Sequence, residues 1–225
     1  MNRAVWFAAG LVLGACSSPV GPLPSGTYHY SSNEAGVPVD STVTISRDAT
    51  AIVVHEDARF LKVPNAPPVS VETRLDPKTF STDALTVAND PEMWNPSVAI
   101  RPDGATITPS GKASFTIPPA AAGAPATVNS DWVSSYLAIP AMLHATGAKT
   151  VNVYYTALLR GRGLATAFTV VSGTAARPSG VPSGDTPIAL ATRKARRAFI
   201  TLWYDPSTDV VSAVQLGDDL AFVRK

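Results

Sequence analysis

One cysteine, Cys16, is all that the 225-residue chain contains. A single thiol leaves no internal disulfide, no zinc site of the Cys-x-x-Cys type and no redox dithiol. Histidine is almost as scarce. His29, His55 and His144 stand alone, with no partner at the spacing of an HxH or HExxH metal site. Net charge is missing too, at a formal +1. That removes the strong positive field a nucleic-acid partner needs. Long apolar runs are absent after residues 4–13, and that run is well short of the roughly 20 residues a helix needs to cross a bilayer.

What is present begins with MNRAVWFAAGLVLGACSSP. A basic start with Arg3, the apolar run, and the small residues Gly14 and Ala15 have the order of an export signal. Leu13-Gly14-Ala15-Cys16 resembles the bacterial lipobox. That resemblance implies cleavage before Cys16, lipidation of its sulfur, and acylation of the new N-terminus. Each buried methylene contributes about 0.8 kcal/mol, so several acyl chains hold where one does not. Residues 1–15 are thus expected to be a lipoprotein signal peptide. Loss of Arg3 with them leaves basic and acidic residues in balance. Residues 16–25, rich in Pro, Gly and Ser, form a flexible tether, and 26–225 a single β-rich domain. Ser17 lacks the acidic character of an inner-membrane retention signal, which implies an outer-membrane address where the host has two membranes.

Strand signals dominate from residue 26 on. Alternating or β-branched runs at 27–30, 39–45, 51–55, 69–75, 80–88, 97–101, 105–108 and 113–117 are punctuated by turn-forming residues such as Asp76-Pro77 and Pro102-Asp103-Gly104. Further runs lie at 150–158, 164–171, 188–191, 198–204, 210–216 and 220–224. One helix is expected over 131–146. Asn129, Ser130 and Asp131 are its cap candidates, Gly147 its stop, and Pro140 its break. The fold class is therefore mainly β: a long antiparallel meander forming a curved sheet or half-open barrel, with one Pro-interrupted helix packed on it. Arg74-Leu75-Asp76-Pro77-Lys78-Thr79 and Trp203-Tyr204-Asp205-Pro206-Ser207-Thr208 echo one another. Chance is one explanation, since Asp-Pro is a common turn opener. A hairpin repeated in both halves of a large sheet is the other.

This layout, with its late hairpin LWYDPSTDVVSAVQ, resembles the LolA/LolB-like carriers. The resemblance implies a half-open barrel whose concave face is covered by helix and binds lipid or another apolar molecule.

Catalytic constellations are missing. Gly180-Val181-Pro182-Ser183-Gly184 has its first Gly one position early for a nucleophile elbow and lies in a Pro-rich loop. Gly161-Arg162-Gly163 precedes a strand rather than a helix, so it does not cradle phosphate. Asp218-Asp219 and Glu56-Asp57 read as solvated turn charges. The basic cluster of Arg193, Lys194, Arg196 and Arg197, with Arg160 and Arg162, reads as a solvated hairpin or as a surface for anionic head groups. Aromatics supply the ligand-cavity candidates. Trp132 and Tyr136 lie four apart on one helix face, Tyr155 on a strand apolar on both sides, and Trp203 on a strand expected between sheet and helix. No cofactor and no metal site are read. The functional expectation is a non-enzymatic envelope lipoprotein, anchored to a membrane through Cys16, binding an apolar ligand or a protein partner. The competing expectations are a hydrolase of envelope polymers using dispersed carboxylates and a purely structural scaffold.

Overall fold

The computed structural model describes residues 22–34, 37–63, 65–90, 95–129, 132–155, 164–172, 176–192, 199–217 and 219–225. The expected leader, Cys16 and most of the tether lie outside these, as do Asp131, Arg160, Arg162 and the basic cluster at 193–197.

Strands build nearly everything described. β1 (Gly26–Glu34), β2 (Val37–Arg47), β3 (Ile52–Phe60), β4 (Val69–Leu75) and β5 (Thr82–Ala88) follow one another as a meander. β6 (Ser97–Arg101), β7 (Gly104–Thr108) and β8 (Phe115–Ile117) extend it. Next come β9 (Ala126–Asn129) and two short helices, α1 (Ser134–Leu137) and α2 (Ile139–Thr146). β10 (Thr150–Tyr155), β11 (Leu164–Val171) and β12 (Thr186–Thr192) start the second series. β13 (Ile200–Tyr204), β14 (Val211–Leu216) and β15 (Asp219–Arg224) end it.

All fifteen strands belong to one sheet, ordered β8 to β1, then β15 down to β9. The first and last strands pair at its centre, with Tyr30 opposite Arg224. β8 and β9 are neighbours in the chain yet form the two edges of a sheet that does not close. The curved sheet carrying one Pro-interrupted helix, expected from the sequence, is the fold of this chain. Alternation explains its inner face. Val39, Ser41, Val43 and Ile45 of β2 point inward while Thr42 and Thr44 are exposed, and β4 buries Val69, Val71, Thr73 and Leu75 while exposing Glu72 and Arg74.

One pairing departs from the antiparallel pattern. β9 runs parallel to β10, with Ala126 opposite Asn152. Parallel neighbours need a crossover, and the helical segment supplies it. β9 itself has no counterpart among the strands read from sequence. All four of its residues are buried, so it lacks the alternation that marks a strand, and it follows a Pro-rich stretch.

The two edges overlap rather than meet. Val151 and Val153 of β10 pack in the cluster that contains the helices. Tyr154, which points the other way, packs with Val98, Ile107 and Ile117 on the inner face of β6, β7 and β8. The β9–β10 edge is thus a second layer tucked beneath the opposite edge. That is why β10 is apolar on both faces. Asn152 fastens the connection between β8 and β9. Its amide donates to the carbonyls of Ala121 (2.8 Å) and Ala124 (3.1 Å), and its Oδ1 accepts from the Ala121 N–H (2.8 Å).

The sequence echo is a shared structure. Asp76 Oδ1 accepts from the N–H groups of Lys78 (2.9 Å) and Thr79 (2.7 Å), and Asp205 Oδ1 from the Ser207 N–H (2.8 Å). Each turn ends on a left-handed residue, Phe80 at φ 57° and Asp209 at φ 58°, whose N–H returns to the Asp carbonyl at 2.9 and 2.8 Å. Both halves of the sheet use one hairpin design, at β4–β5 and β13–β14.

Candidate functional site

The helical segment fills the concave side of the sheet. It breaks at Ala138, and Pro140 sits in the first turn of α2, where a missing N–H costs nothing. Gly147 ends it at φ 64°, its N–H donating to the Leu143 carbonyl at 2.9 Å. Every residue from 132 to 143 is buried. A lid would expose one face; this segment is enclosed on all sides and acts as a plug.

Its start is not capped as the sequence suggests. Asn129 belongs to β9, and Ser130 and Asp131 lie outside the described residues. Val133 holds the cap position and offers no side-chain acceptor. The acceptor comes from β3 instead: Glu56 Oε2 takes the Ser134 N–H at 2.8 Å. A tertiary contact replaces a local one, because an N–H buried without a partner is costly.

Glu56 is wholly buried, and no cation pairs with it among the described residues. Burial raises its pKa, opposed first by the Ser134 N–H. Its second oxygen, Oε1, has no hydrogen-bond partner. Nor have the buried Oγ atoms of Ser41 and Ser134, Oγ1 of Thr73, or Nε1 of Trp132. Polar groups buried without a partner cost stability. Reading Glu56 as a solvated turn charge misses its burial. The available signal was its place on the inward row with Ile52, Val54 and Ala58.

The far end of the plug is held by a second ionisable contact. His144 Nδ1 lies 2.8 Å from Asp209 Oδ1, and its Nε2 lies 3.4 Å from the Tyr204 hydroxyl. Asp209 is buried, which raises its pKa, while the His144 contact lowers it. Both ring nitrogens are engaged. His144 therefore fastens α2 to the β13–β14 hairpin.

The four cavity candidates separate. Tyr136 packs in the helix cluster against Phe222, ring centroids 6.1 Å apart. Trp132 joins the other cluster, edge-on to Phe60 at 5.9 Å. Tyr155 is half-buried beside the helix cluster. Trp203 does not lie between sheet and helix. Leu202 and Tyr204 face the helix, so alternation turns Trp203 outward, where it packs with Val181 and Ala213. The Arg177 guanidinium covers its ring at 4.8 Å, and its Nε1 donates to Gln215 at 3.1 Å. None of the four lines either of two clefts, of about 490 and 430 Å³, that open on the described surface. Among the described residues no group of His, Cys, Asp and Glu is arranged to hold a metal ion, and no helix is long and apolar enough to cross a membrane. No family model, no curated protein and no solved structure matches the chain.

Proposed function

We propose that this chain is a membrane-anchored envelope lipoprotein, not an enzyme, that carries an apolar ligand in the space its own helix fills when empty. One observation carries the reading. A plug buried on all sides sits in an unclosed sheet, and its N-terminal end is held by a lone buried carboxylate among unpartnered polar atoms. An open sheet can widen where a closed barrel cannot. A plug held by an imperfect polar contact leaves at lower cost than one set wholly in matched apolar packing. The anchor rests on the lipobox-like Leu13-Gly14-Ala15-Cys16. The proposed ligand is an acyl chain or similar apolar molecule, because aliphatic and aromatic side chains line the space around α1 and α2.

The test has two arms. Cys16→Ser should leave the protein unlipidated and move it out of the detergent phase; unchanged membrane partition refutes the anchor. For the carrier, an environment-sensitive fluorescent fatty acid is titrated into the soluble domain from Ser17 onward. Saturable binding is expected. It should be abolished by a disulfide engineered to pin α2 to the sheet and strengthened by Glu56→Ala, which frees the plug. A well-folded domain that shows no saturable binding is a scaffold.

A further inference from the structure

The large hydrophobic side chains left exposed among the described residues, Leu61, Val63, Leu164 and Phe199, all lie at one end of the strands. Antiparallel pairing brings alternate connections to the same end. Leu61 and Val63 follow β3, Leu164 begins β11, and Phe199 immediately precedes β13. The β1–β15 pairing carries the alternation across the centre of the sheet, so these positions share an end. The fold fixes them there. The Leu61 N–H donates to the Pro38 carbonyl at 2.9 Å and the Val63 N–H to the Phe60 carbonyl at 3.2 Å. Phe199 stacks on buried Phe168, ring centroids 6.1 Å apart, yet leaves 49% of its surface exposed. From β3 to β13 this rim crosses five strand steps, about 24 Å along the sheet at about 4.8 Å each.

Charge divides the same way. The connections at this end hold Lys62 and Lys112, and in the sequence the stretch between β12 and β13 adds Arg193, Lys194, Arg196 and Arg197. Asp90, Glu92 and Asp218 are the acidic residues of those connections. At the other end, Asp48, Asp76, Asp103 and Asp205 lie in turns whose one basic residue is Lys78.

We infer that this rim is a docking surface for an anionic lipid bilayer. Separate apolar side chains spaced along an arc suit a flat, fluid surface that admits each one independently. A protein interface gathers its apolar anchors near its centre instead. Basic residues beside the apolar points meet anionic head groups, in an attraction that salt screens. A single partly inserted side chain holds weakly, so the points act together. The chain enters the sheet at the opposite end, where Gly26 pairs with Ile45. The rim is therefore a contact separate from any lipid at Cys16, and it needs no ligand inside the sheet.

Cys16→Ser leaves the full chain with no thiol and with no sulfur to lipidate. In that background a single cysteine replaces Leu61, Leu164 or, as the control at the other end, Lys78, and carries a polarity-sensitive dye. Each protein is mixed with vesicles of phosphatidylcholine, with or without phosphatidylglycerol, bearing nitroxide quenchers on the lipid chains. Dyes at 61 and 164 should shift to the blue and be quenched in the phosphatidylglycerol vesicles, and much less in phosphatidylcholine alone or in high salt. The dye at 78 should stay in water. Residues 1–15 are common to every protein, so lipid binding of their own does not distinguish the dye positions. Leu61→Ser with Val63→Ser should lower the quenched fraction of the dye at 164 at least about fivefold. Both side chains are exposed, so the melting temperature should hold. The inference is overturned if the rim dyes stay in water, if the dye at 78 is quenched as strongly, or if the double variant leaves quenching at 164 unchanged. A blue shift that needs no vesicles and grows with protein concentration also overturns it, and makes a second copy of the chain the occupant.

Discussion

The backbone N–H of Ser134 and the carboxylate of Glu56 meet at 2.8 Å inside the sheet, although 78 residues separate them in the chain. Through this contact an ionisable group decides how firmly the plug is seated. Its behaviour with pH is the most direct check on the interior.

Burial raises the Glu56 pKa above the ordinary glutamate value of about 4.3. The folded state then holds a proton that the unfolded state has released. The stability Glu56 contributes is complete below the ordinary value and is lost as pH rises through the folded one. Wild type should therefore lose melting temperature across that window relative to Glu56→Gln, which keeps an acceptor for the Ser134 N–H and cannot ionise. Melting curves of both proteins from pH 4 to 9, in the same salt, give the difference; parallel curves refute the assignment. Glu56→Ala orphans the N–H and should cost about 1–3 kcal/mol even at the acid end.

Asn152→Ala should release the connection between β8 and β9. Three hydrogen bonds are lost at a residue 1% exposed, at about 1 kcal/mol each. Denaturant unfolding should register a loss of about 3 kcal/mol. Amide exchange should accelerate first at Ala121, Ala124 and β9; uniform acceleration over the sheet would mean that Asn152 is not a local fastener.

Trp203→Ala should cost about 3 kcal/mol, the usual loss for a buried aromatic. It should leave fatty-acid binding unchanged, because the ring faces away from the helix. Arg177→Ala should cost about 1 kcal/mol through the lost cover over that ring. A Trp203 variant that folds but loses ligand would return this residue to the interior.

The twin turns make a matched pair of tests. Hydrogen bonds, led by the Thr79 N–H for Asp76 and by the Ser207 hydroxyl for Asp205, hold both carboxyls below the ordinary aspartate pKa of about 3.9. Their contribution is present above the ordinary value and lost as pH falls through the folded one. Asp76→Ala and Asp205→Ala should each cost about 1–2 kcal/mol at pH 7 and converge with wild type in acid. Urea titrations from pH 7 down into acid follow both; a cost in only one half of the sheet would break the equivalence of the two hairpins.

Local rules made much of this chain legible without a structure. Period-two alternation in residues 39–45 and 69–75 marks half-buried strands, and Asp76-Pro77 and Asp205-Pro206 mark the turns that open the β4–β5 and β13–β14 hairpins. Pro140 and Gly147 mark the break and the end of the helix, since one lacks an N–H and the other tolerates a left-handed backbone. These signals lie within a few residues of what they specify. β9 was not legible: a strand buried on both faces has no alternation, and its parallel partner lies beyond the helix.

The candidate site depended on contacts between distant segments. Trp203 and Leu202 are neighbours with opposite surroundings, and only the packed sheet shows which of them meets the helix. Asn129, Ser130 and Asp131 have the chemistry of helix caps, yet Glu56 on β3 supplies the acceptor, because a buried N–H is satisfied by whichever oxygen the fold brings to it. His144 and Asp209, 65 residues apart, become partners in the same way. The sequence by itself determined the strand-rich meander, its turns and its one broken helix, all set by interactions between near neighbours along the chain. The tertiary structure alone decided which edges overlap, what the helix plugs, and which polar groups are left inside without a partner, because burial and pairing belong to the packed chain and not to any segment of it.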